Sequence, residues 1–164
     1  MTTPLLDGFS PVVDDAAELL ILGSFPSVQS LATQHYYGNP RNAFWPITAA
    51  LFGFEASASY ETRLAALQSA GVALWDVLHK CRRAGSSDAK FDMKSVVAND
   101  FGQLFAAYPL ITRVCFNGRT AERLYARLVH VDAALEYQLL PSTSPARAMP
   151  AGQKLQAWQA IAPS

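Results

Sequence analysis

The sequence predicts an α/β fold, a three-layer sandwich in which helices cover both faces of a central, mainly parallel, four-stranded sheet. Four short apolar runs each end in a polar, glycine or proline residue, as buried parallel strands do. Helical patterns separate these runs through short connections, which is typical of crossovers between parallel strands. The chain has 164 residues, 51% of them hydrophobic, so we expect one domain spanning residues 1–164.

The first half of the chain predicts a strand, two helices and a second strand. An uninterrupted apolar run over 19–22 predicts a strand buried on both faces, and a long polar and aromatic loop follows it. The mostly apolar segment 44–54 and the segment 60–70, with its spaced leucines, predict helices. The run 72–75 then predicts a strand that ends at Asp76.

The second half continues the alternation. The run 111–116 predicts a third strand, a helix is expected near 120–128, and the run 137–140 predicts a fourth strand. A final helix is expected directly after the proline- and serine-rich segment 141–145. Segment 84–90 is expected to be a mobile loop within the domain.

Charge and hydropathy exclude several classes of protein. Thirteen basic residues balance thirteen acidic ones, which argues against a protein that coats nucleic acid non-specifically. Basic residues gather in 79–83 and acidic ones in 14–18, so a polarised surface stays open, with a solvated loop as the alternative for the basic cluster. No apolar run has membrane-spanning length and segment 1–10 lacks a secretory pattern, so we expect a cytoplasmic protein without membrane contact.

The two cysteines, Cys81 and Cys115, have neither zinc-ligand spacing nor the density of a disulfide framework. Cys115 stands in an apolar run, where burial is the simplest interpretation. We therefore expect no metal and no cofactor.

Ligands of parallel α/β sheets bind beyond the carboxyl ends of the strands. The residues that follow the predicted strands are therefore the first candidates for a site: Gly23, Asp76, Asn117 and Pro141.

The most distinctive motif runs through Gly23-Ser24-Phe25-Pro26-Ser27 and continues from His35 to Trp45 as HYYGNPRNAFW. It resembles the first motif of the uracil-DNA glycosylase superfamily, in particular its hypoxanthine-DNA glycosylase branch, whose members carry similar GSFPS and YYGNPRN segments. The piece from Asn42 to Trp45 also resembles a segment of the mismatch-specific uracil glycosylases. The resemblance implies a uracil-DNA glycosylase-like fold and an enzyme of base excision repair.

The same resemblance implies that Asn39 is catalytic, because the hypoxanthine branch is thought to depend on the asparagine of its GNPRN string. An amide is not a strong base, so Asn39 would orient the attacking water through its carbonyl oxygen. From its neighbours Gly38 and Pro40 alone, a turn asparagine in a left-handed backbone conformation is the alternative.

The segment from Gly71 to Leu78 resembles the strand that ends at the base-reading pocket of this superfamily. Uracil-specific members place an asparagine where this chain has Asp76. A carboxylate accepts hydrogen bonds and the N1–H group of hypoxanthine offers one, so Asp76 weakens a preference for uracil and suits a purine lactam. The residues expected in the base pocket are Gly23, Ser24, Phe25, Tyr37, Phe44 and Asp76.

The segment from Leu140 to Arg147 resembles the superfamily's H-P-S-P-L-S loop, which grips phosphates and enters the duplex. Leu140 takes the place of the histidine that assists the departing uracil in uracil-specific enzymes, so that assistance is absent. Ser142 and Ser144 also suit the capping of the final helix, with Pro145 at its first position, and this role is compatible with phosphate binding. The residues expected to contact DNA are Ser27, Arg41, Ser142, Thr143, Ser144 and Arg147.

Several neighbouring residues have a second interpretation. Trp45 suits the core of the following helix better than a stacking role. Asn117, followed by a glycine, suits a simple strand-to-helix turn, and His35 is a weakly supported general acid. Three further aromatic residues suit stacking and burial equally well: Tyr36, Tyr37 and Phe44.

Together the motifs predict a monofunctional DNA glycosylase that flips a deaminated base, hypoxanthine, out of DNA and hydrolyses its N-glycosidic bond. The alternatives are a uracil or mismatch-specific enzyme, or a non-catalytic nucleic-acid-binding module of the same fold. A hydrolase with Ser24 as nucleophile is disfavoured, because G-x-S-x-G and a histidine–acid pair are lacking. We expect a monomer whose partner is DNA that contains the deaminated base.

Overall fold

A computed structural model describes residues 3–163, so Met1, Thr2 and Ser164, the ends of the predicted domain and the start of segment 1–10, lie outside the described residues. The strands are β1 (Leu5–Asp7), β2 (Leu19–Gly23), β3 (Val72–Asp76), β4 (Leu78–Arg82), β5 (Val97–Ala98), β6 (Arg113–Asn117) and β7 (Glu136–Leu140). The helices are α1 (Val28–Thr33), α2 (Phe44–Phe52), α3 (Tyr60–Ser69), α4 (Phe101–Ala107), α5 (Arg119–Leu128) and α6 (Ala151–Trp158). Short 3₁₀ helices cover Asp88–Lys90 and Gln159–Ile161.

The central sheet has four parallel strands in the order β3-β2-β6-β7, which confirms the predicted sheet. Its strands coincide with the four apolar runs to within two residues at their amino ends. The register pairs Gly23 with Asp76 and Asn117 with Leu140. The carboxyl ends of all four strands therefore meet at one edge of the sheet, where ligands of such folds bind.

Helices pack against both faces of this sheet. Alternate residues such as Leu20 and Leu22 face α4 and α5, whereas Ile21 and Leu74 face α2, α3 and α6. This alternation follows from the period of two residues along a strand, and burial of both faces explains the uninterrupted apolar runs. The predicted three-layer sandwich is confirmed.

A second, antiparallel sheet with the order β1-β4-β5 was not predicted. It contains residues 79–82 of the basic segment, and Arg83 directly after them forms an isolated bridge with Phe91, so the interpretation of this segment as a solvated loop is wrong. On β4 the Lys80 ammonium forms an ion pair with Asp7 of β1 at 2.6 Å. Cys81 and Arg83 are instead buried. β4 is the middle strand of this small sheet, and charged residues occupy its partly exposed positions, which concealed the strand in the sequence.

Two short helices were also missed. Ser27 caps α1 by accepting a hydrogen bond from the Ser30 backbone N–H, and Asp100 caps α4 in the same way. Both helices are too short to show a helical period in the sequence. Gly53, in a left-handed conformation, ends α2 two residues before the predicted limit.

The final helix begins at Ala151 rather than directly after Pro145, so Ser142 and Ser144 do not cap it. The Ser144 hydroxyl oxygen accepts a hydrogen bond from the Ala146 backbone N–H instead. Local bonds of this kind offer the backbone an alternative to a helix, which explains the delayed start. No helix of the described chain is long and apolar enough to cross a membrane.

Replacement of Phe44 by alanine is expected to lower the free energy of unfolding by about 3 to 5 kcal/mol, because it leaves a cavity in the layer under α2. The Phe44 ring is fully buried and stacks on Trp45 with centroids 4.9 Å apart. Urea unfolding measures the effect. Leu110→Ala is the control, because Leu110 is 54% exposed and its truncation is expected to cost less than about 0.5 kcal/mol. Equal losses in the two variants would contradict the assignment of Phe44 to the core.

Candidate active site

A cavity of about 610 Å³ lies beyond the carboxyl ends of β2, β3 and β6. Four segments line it together with Asp76 and Asn117: 23–30, 36–42, 86–89 and 142–146. The structure thus brings together most of the predicted site. Of the predicted site residues, Phe44 and Arg147 do not line this cavity.

Three residues form a tight group at the end of β2 and β3. The Asp76 side chain is only 5% exposed, and its Oδ2 atom has no hydrogen-bond partner within the described protein. The buried Tyr37 hydroxyl also lacks a partner there. A Cβ atom on Gly23 would lie 2.5 Å from Asp76 Oδ1 and 3.4 Å from the Tyr37 hydroxyl. Only glycine therefore fits at position 23.

The pKa of the Asp76 carboxyl is raised to about 7, chiefly by burial; the Arg83 guanidinium opposes this rise and the Asp88 carboxylate adds to it. Arg83 is itself 3% exposed and donates hydrogen bonds to the carbonyl oxygens of Pro26 and Gly85, each at 2.6 Å. The Asp76 carboxyl therefore changes its charge near neutral pH.

Asn39 is held in place by its own loop. Its side-chain Oδ1 accepts a hydrogen bond from the Arg41 backbone N–H at 3.0 Å, and its backbone carbonyl accepts one from Asn42. This is an Asx-turn, as the turn interpretation of Asn39 predicted, but the left-handed residue of the loop is Tyr37, with φ 56°. One lone pair of Oδ1 stays open, so Asn39 can serve the turn and still accept from a water.

Aromatic residues support this loop from below. The Trp45 indole N–H donates to the Tyr36 carbonyl oxygen, which confirms Trp45 as a core residue. The Tyr36 hydroxyl donates to the Ser10 carbonyl oxygen, so Tyr36 lines the cavity as a buried, anchored ring. His35 stacks on Tyr60 with centroids 3.9 Å apart and lies outside the cavity, which removes support for its role as general acid.

Phe44 corrects one prediction. It was expected in the base pocket, but its ring is fully buried and meets Tyr37 edge-on, with centroids 3.8 Å apart. The residue begins α2, and its position in the helix points it into the core. Phe44 therefore supports Tyr37 instead of contacting a ligand.

The loop after β7 is fixed from three elements. The Asn117 side chain donates to Thr143 Oγ1 and accepts from the Thr143 backbone N–H, both at 2.9 Å. Thr143 is 1% exposed, and its carbonyl oxygen accepts from the Ala43 backbone N–H. From α6, the Lys154 ammonium donates to the Ser144 carbonyl oxygen and the Trp158 indole donates to that of Pro141. The loop is therefore preorganised beside the cavity.

The serines of this loop keep donor capacity. The Ser142 hydroxyl oxygen accepts from the Ser144 backbone N–H, so its own O–H group stays available. The backbone N–H groups of Ser144 and Ala146 are already engaged, and α6 starts farther along, so phosphate binding at the start of the final helix is not supported. Arg147 is exposed and lies outside the cavity, and its DNA contact stays a prediction.

The segment predicted as a mobile loop, 84–90, forms a wall of the cavity and ends in a 3₁₀ helix. The Ser24 hydroxyl donates to Asp88 Oδ1 at 3.0 Å, and the Val28 backbone N–H donates to the Ser86 hydroxyl oxygen. No histidine lines the cavity in the described part of the chain. The interpretation of Ser24 as a hydrolase nucleophile therefore has no general base to support it.

The sequence did not identify Arg83 and Asp88 as parts of this site. Asn117 was a candidate because it follows a predicted strand, although a simple strand-to-helix turn was its alternative interpretation. Arg83 and Asp88 act through contacts between distant segments, which no local pattern reveals. Among residues 3–163, no group of three or more histidine, cysteine or acidic side chains is placed to hold a metal ion.

The fold is that of an α/β protein whose ligand site lies beyond the carboxyl ends of parallel strands. The cavity there, between a buried carboxyl and a hydroxyl-rich loop, is suited to a polar ligand. The chain belongs to the uracil DNA glycosylase superfamily, whose family model matches residues 10–162. Membership of this superfamily implies that the substrate of the chain is DNA.

The chain is similar to two curated proteins and to one solved structure. A protein from Methanosarcina acetivorans named hypoxanthine DNA glycosylase is 37% identical over 155 residues, which are 94% of this chain and 96% of the relative. A protein of the same name from Methanosarcina barkeri is 39% identical over 113 residues, 68% of this chain and 70% of the relative. A solution NMR structure from Methanosarcina acetivorans, described as a candidate uracil DNA glycosylase, has a TM-score of 0.79, 35% identity and 96% coverage of both chains.

Replacement of Asp76 by asparagine is expected to stabilise the fold relative to the wild type as pH rises. Because the pKa of Asp76 is about 7 in the folded state and 3.8 is its ordinary value, the folded protein binds this proton more tightly. That stabilisation is complete below about pH 4 and is lost as pH rises through about 7. The difference in unfolding free energy between variant and wild type should therefore change by about 4 kcal/mol between pH 4 and pH 8.

Urea unfolding at a series of pH values measures this change. The exposed Asp15→Asn is the matched control, because it removes one carboxyl far from the cavity. If the stability of Asp76→Asn runs parallel to that of the wild type across this range, the Asp76 carboxyl is not a neutral-pH group.

Proposed function

We propose that this chain is a monofunctional DNA glycosylase that hydrolyses the N-glycosidic bond of deoxyinosine and releases hypoxanthine. The observation that carries the proposal is the shared cavity, in which Asn39 and the unpartnered Asp76 carboxyl lie between loops that can hold DNA. The names of the two relatives, at 37% and 39% identity, support the same base.

Recognition of the base rests on Asp76. Its carboxylate accepts a hydrogen bond from the N1–H group of hypoxanthine, whereas N1 of adenine carries no hydrogen and would meet the carboxylate lone pair to lone pair. Such a mismatch leaves a buried polar group unpaired, which is the most effective way to reject a wrong substrate. The enzyme thereby distinguishes the deaminated base from the adenine it came from.

The chemistry needs a flipped nucleotide and a placed water. A base inside the duplex is out of reach, so the nucleotide turns into the cavity before its bond breaks. Water adds to C1′ of the sugar, the C1′–N9 bond breaks, and hypoxanthine leaves with the bonding electrons and receives a proton. Asn39 accepts a hydrogen bond from this water and fixes its line of approach. The Asx-turn to Arg41 keeps the Asn39 side chain in that orientation.

The same geometry argues for hydrolysis without strand cleavage. A lyase reaction requires an amine that attacks C1′, most often that of a lysine, and no lysine lines the cavity within the described residues. The nearest candidate in the loop region, Lys154, is buried and donates to the Ser144 carbonyl oxygen. Leu140, 2% exposed in the core, cannot assist the departing base.

A uracil-specific reaction is the second candidate, because the N3–H group of uracil could also donate to Asp76. We favour hypoxanthine because an aspartate replaces the asparagine of uracil-specific enzymes and because both relatives are named hypoxanthine DNA glycosylase. A monomeric state, a cytoplasmic location and a single domain stay predictions.

Replacement of Asn39 by alanine is expected to reduce excision of hypoxanthine at least about 100-fold, because the water loses its positioning group. Labelled duplexes with one deoxyinosine or one deoxyuridine are incubated with the protein, and alkali then cuts any abasic site. DNA affinity, measured in parallel, is expected to change little. Gln103→Ala is the control, since Gln103 is exposed on α4 and does not line the cavity. If the wild-type protein cleaves only the deoxyuridine duplex, the substrate is uracil and not hypoxanthine. If it cleaves neither duplex, a non-catalytic binding module is favoured.

Replacement of Arg41 by glutamine tests the predicted phosphate contact. Arg41 is exposed at the rim of the cavity, and its side chain makes no hydrogen bond to the described protein. A lost phosphate contact reduces the slope of log affinity against log salt by about 1, whereas a structural defect leaves the slope unchanged. Arg127→Gln is the control, because Arg127 lies in the last turn of α5, toward the opposite edge of the sheet. Equal slopes for wild type and Arg41→Gln would remove Arg41 from the interface.

A further inference from the structure

Two buried polar groups at the end of β2 are incompletely paired. The Tyr37 hydroxyl and Asp76 Oδ2 have no partner at full hydrogen-bond geometry among residues 3–163, although the Asn117 side chain lies near the Tyr37 hydroxyl. A Cβ on Gly23 would lie 2.5 Å from Asp76 Oδ1 and 3.4 Å from the Tyr37 hydroxyl, so the carboxyl and the hydroxyl border the same small space. Native proteins leave few buried polar atoms unpaired, and each such atom costs about 1 to 3 kcal/mol. Two of them at one point of a cavity indicate a ligand that pairs with both.

The two groups have complementary roles. Burial, and then the nearby Asp76 carboxylate, raise the pKa of Tyr37 above its ordinary value, and the Asn117 side chain only partly opposes this rise, so the Tyr37 hydroxyl keeps its proton and can donate. The ionised Asp76 carboxyl can only accept. The Tyr37 donor and the Asp76 acceptor therefore match a ligand that presents a hydrogen-bond acceptor next to a hydrogen-bond donor.

The position of the Tyr37 hydroxyl is built into the fold. The Tyr37 backbone has φ 56°, a conformation that is uncommon for a residue with a bulky side chain. Its ring is held by the edge-on contact with Phe44 and by the neighbouring ring of Tyr36, with centroids 6.4 Å apart. Strain that the surroundings enforce is typical of residues at functional sites.

We propose that the Tyr37 hydroxyl and the Asp76 carboxylate together read the lactam edge of the flipped base. Tyr37 donates to the carbonyl oxygen, O6 of hypoxanthine, and Asp76 accepts from the adjacent N1–H group. This inference rests on the proposed function and adds Tyr37 as a specificity-determining residue. The substrate class is a base with a carbonyl group beside a ring N–H group, which includes hypoxanthine, xanthine and uracil. Adenine presents the reverse pattern and is rejected, whereas guanine shares the edge and is not excluded by this pair.

Replacement of Tyr37 by phenylalanine tests the donor, since it removes the hydroxyl and keeps the ring. Single-turnover excision of deoxyinosine is expected to fall about 10-fold or more. Binding is measured with duplexes whose 2′-fluoroarabino sugar resists hydrolysis and whose base is hypoxanthine, 6-thiohypoxanthine or adenine. In 6-thiohypoxanthine the N1–H group is kept and a sulfur, a weak hydrogen-bond acceptor, replaces O6. The wild type is expected to prefer hypoxanthine to 6-thiohypoxanthine by about 3-fold or more, and Tyr37→Phe is expected to lose most of that preference.

Tyr125→Phe is the matched control. It deletes a buried hydroxyl that bonds to Tyr137 on the other face of the sheet, and both readouts are expected to stay at the wild-type level. Asp76→Asn tests the acceptor, because an amide both accepts and donates. Asp76→Asn is expected to keep its binding of the hypoxanthine duplex. Its discrimination against the adenine duplex is expected to fall about 10-fold or more.

The binding and excision measurements test the role of Tyr37 and the proposed function separately. If Tyr37→Phe weakens binding of hypoxanthine and of 6-thiohypoxanthine by the same factor, or weakens neither, the hydroxyl does not read O6 and the inference is wrong. If the wild type excises no hypoxanthine, the proposed function fails. The binding comparison still decides whether Tyr37 and Asp76 recognise a lactam edge, so the two failures are distinguishable.

Discussion

The pairing of Gly23 with Asp76 at the ends of two parallel strands is the constraint on which the site depends. A side chain on residue 23 would meet the Asp76 carboxyl at 2.5 Å, so the absence of a Cβ lets the carboxyl occupy the space beyond the sheet. Burial there raises the pKa of Asp76 to about 7. A charge in this position has to be balanced by the surrounding chain, and the neighbouring loops supply that balance.

Arg83 links the electrostatics of the cavity to its shape. Its guanidinium opposes the rise in the pKa of Asp76 and lies over the ring of Phe25, which lines the cavity. Through Pro26 and Gly85 the same group joins the loop after β2 to the loop after β4. Because a buried guanidinium without its hydrogen bonds is costly, both loops are tied to one position. The walls of the cavity and the charge of its carboxyl therefore depend on a single buried residue.

The sequence predicted the parts of the fold that local patterns encode. Uninterrupted apolar runs revealed the four central strands, because burial on both faces leaves no polar positions. The strands of the second sheet are two to five residues long and carry residues such as Lys80, so no pattern separated them from loops. The rule that sites follow strands located Asp76 and Asn117, and family resemblance supplied Asn39. The resemblance also suggested Phe44, whose burial depends on how α2 packs and not on its motif.

The apolar layer under the site has a functional consequence. Tyr37 keeps an unusual backbone conformation and an unpaired hydroxyl, and both raise the energy of the folded state. Phe44 packs against Tyr37 and against Trp45 and Trp158, and Trp158 also holds the loop after β7 through Pro141. This layer therefore offsets the strain of one wall of the cavity while it fixes the position of another. Residues that contact no ligand in this way determine how rigidly the base and the phosphates of DNA can be held.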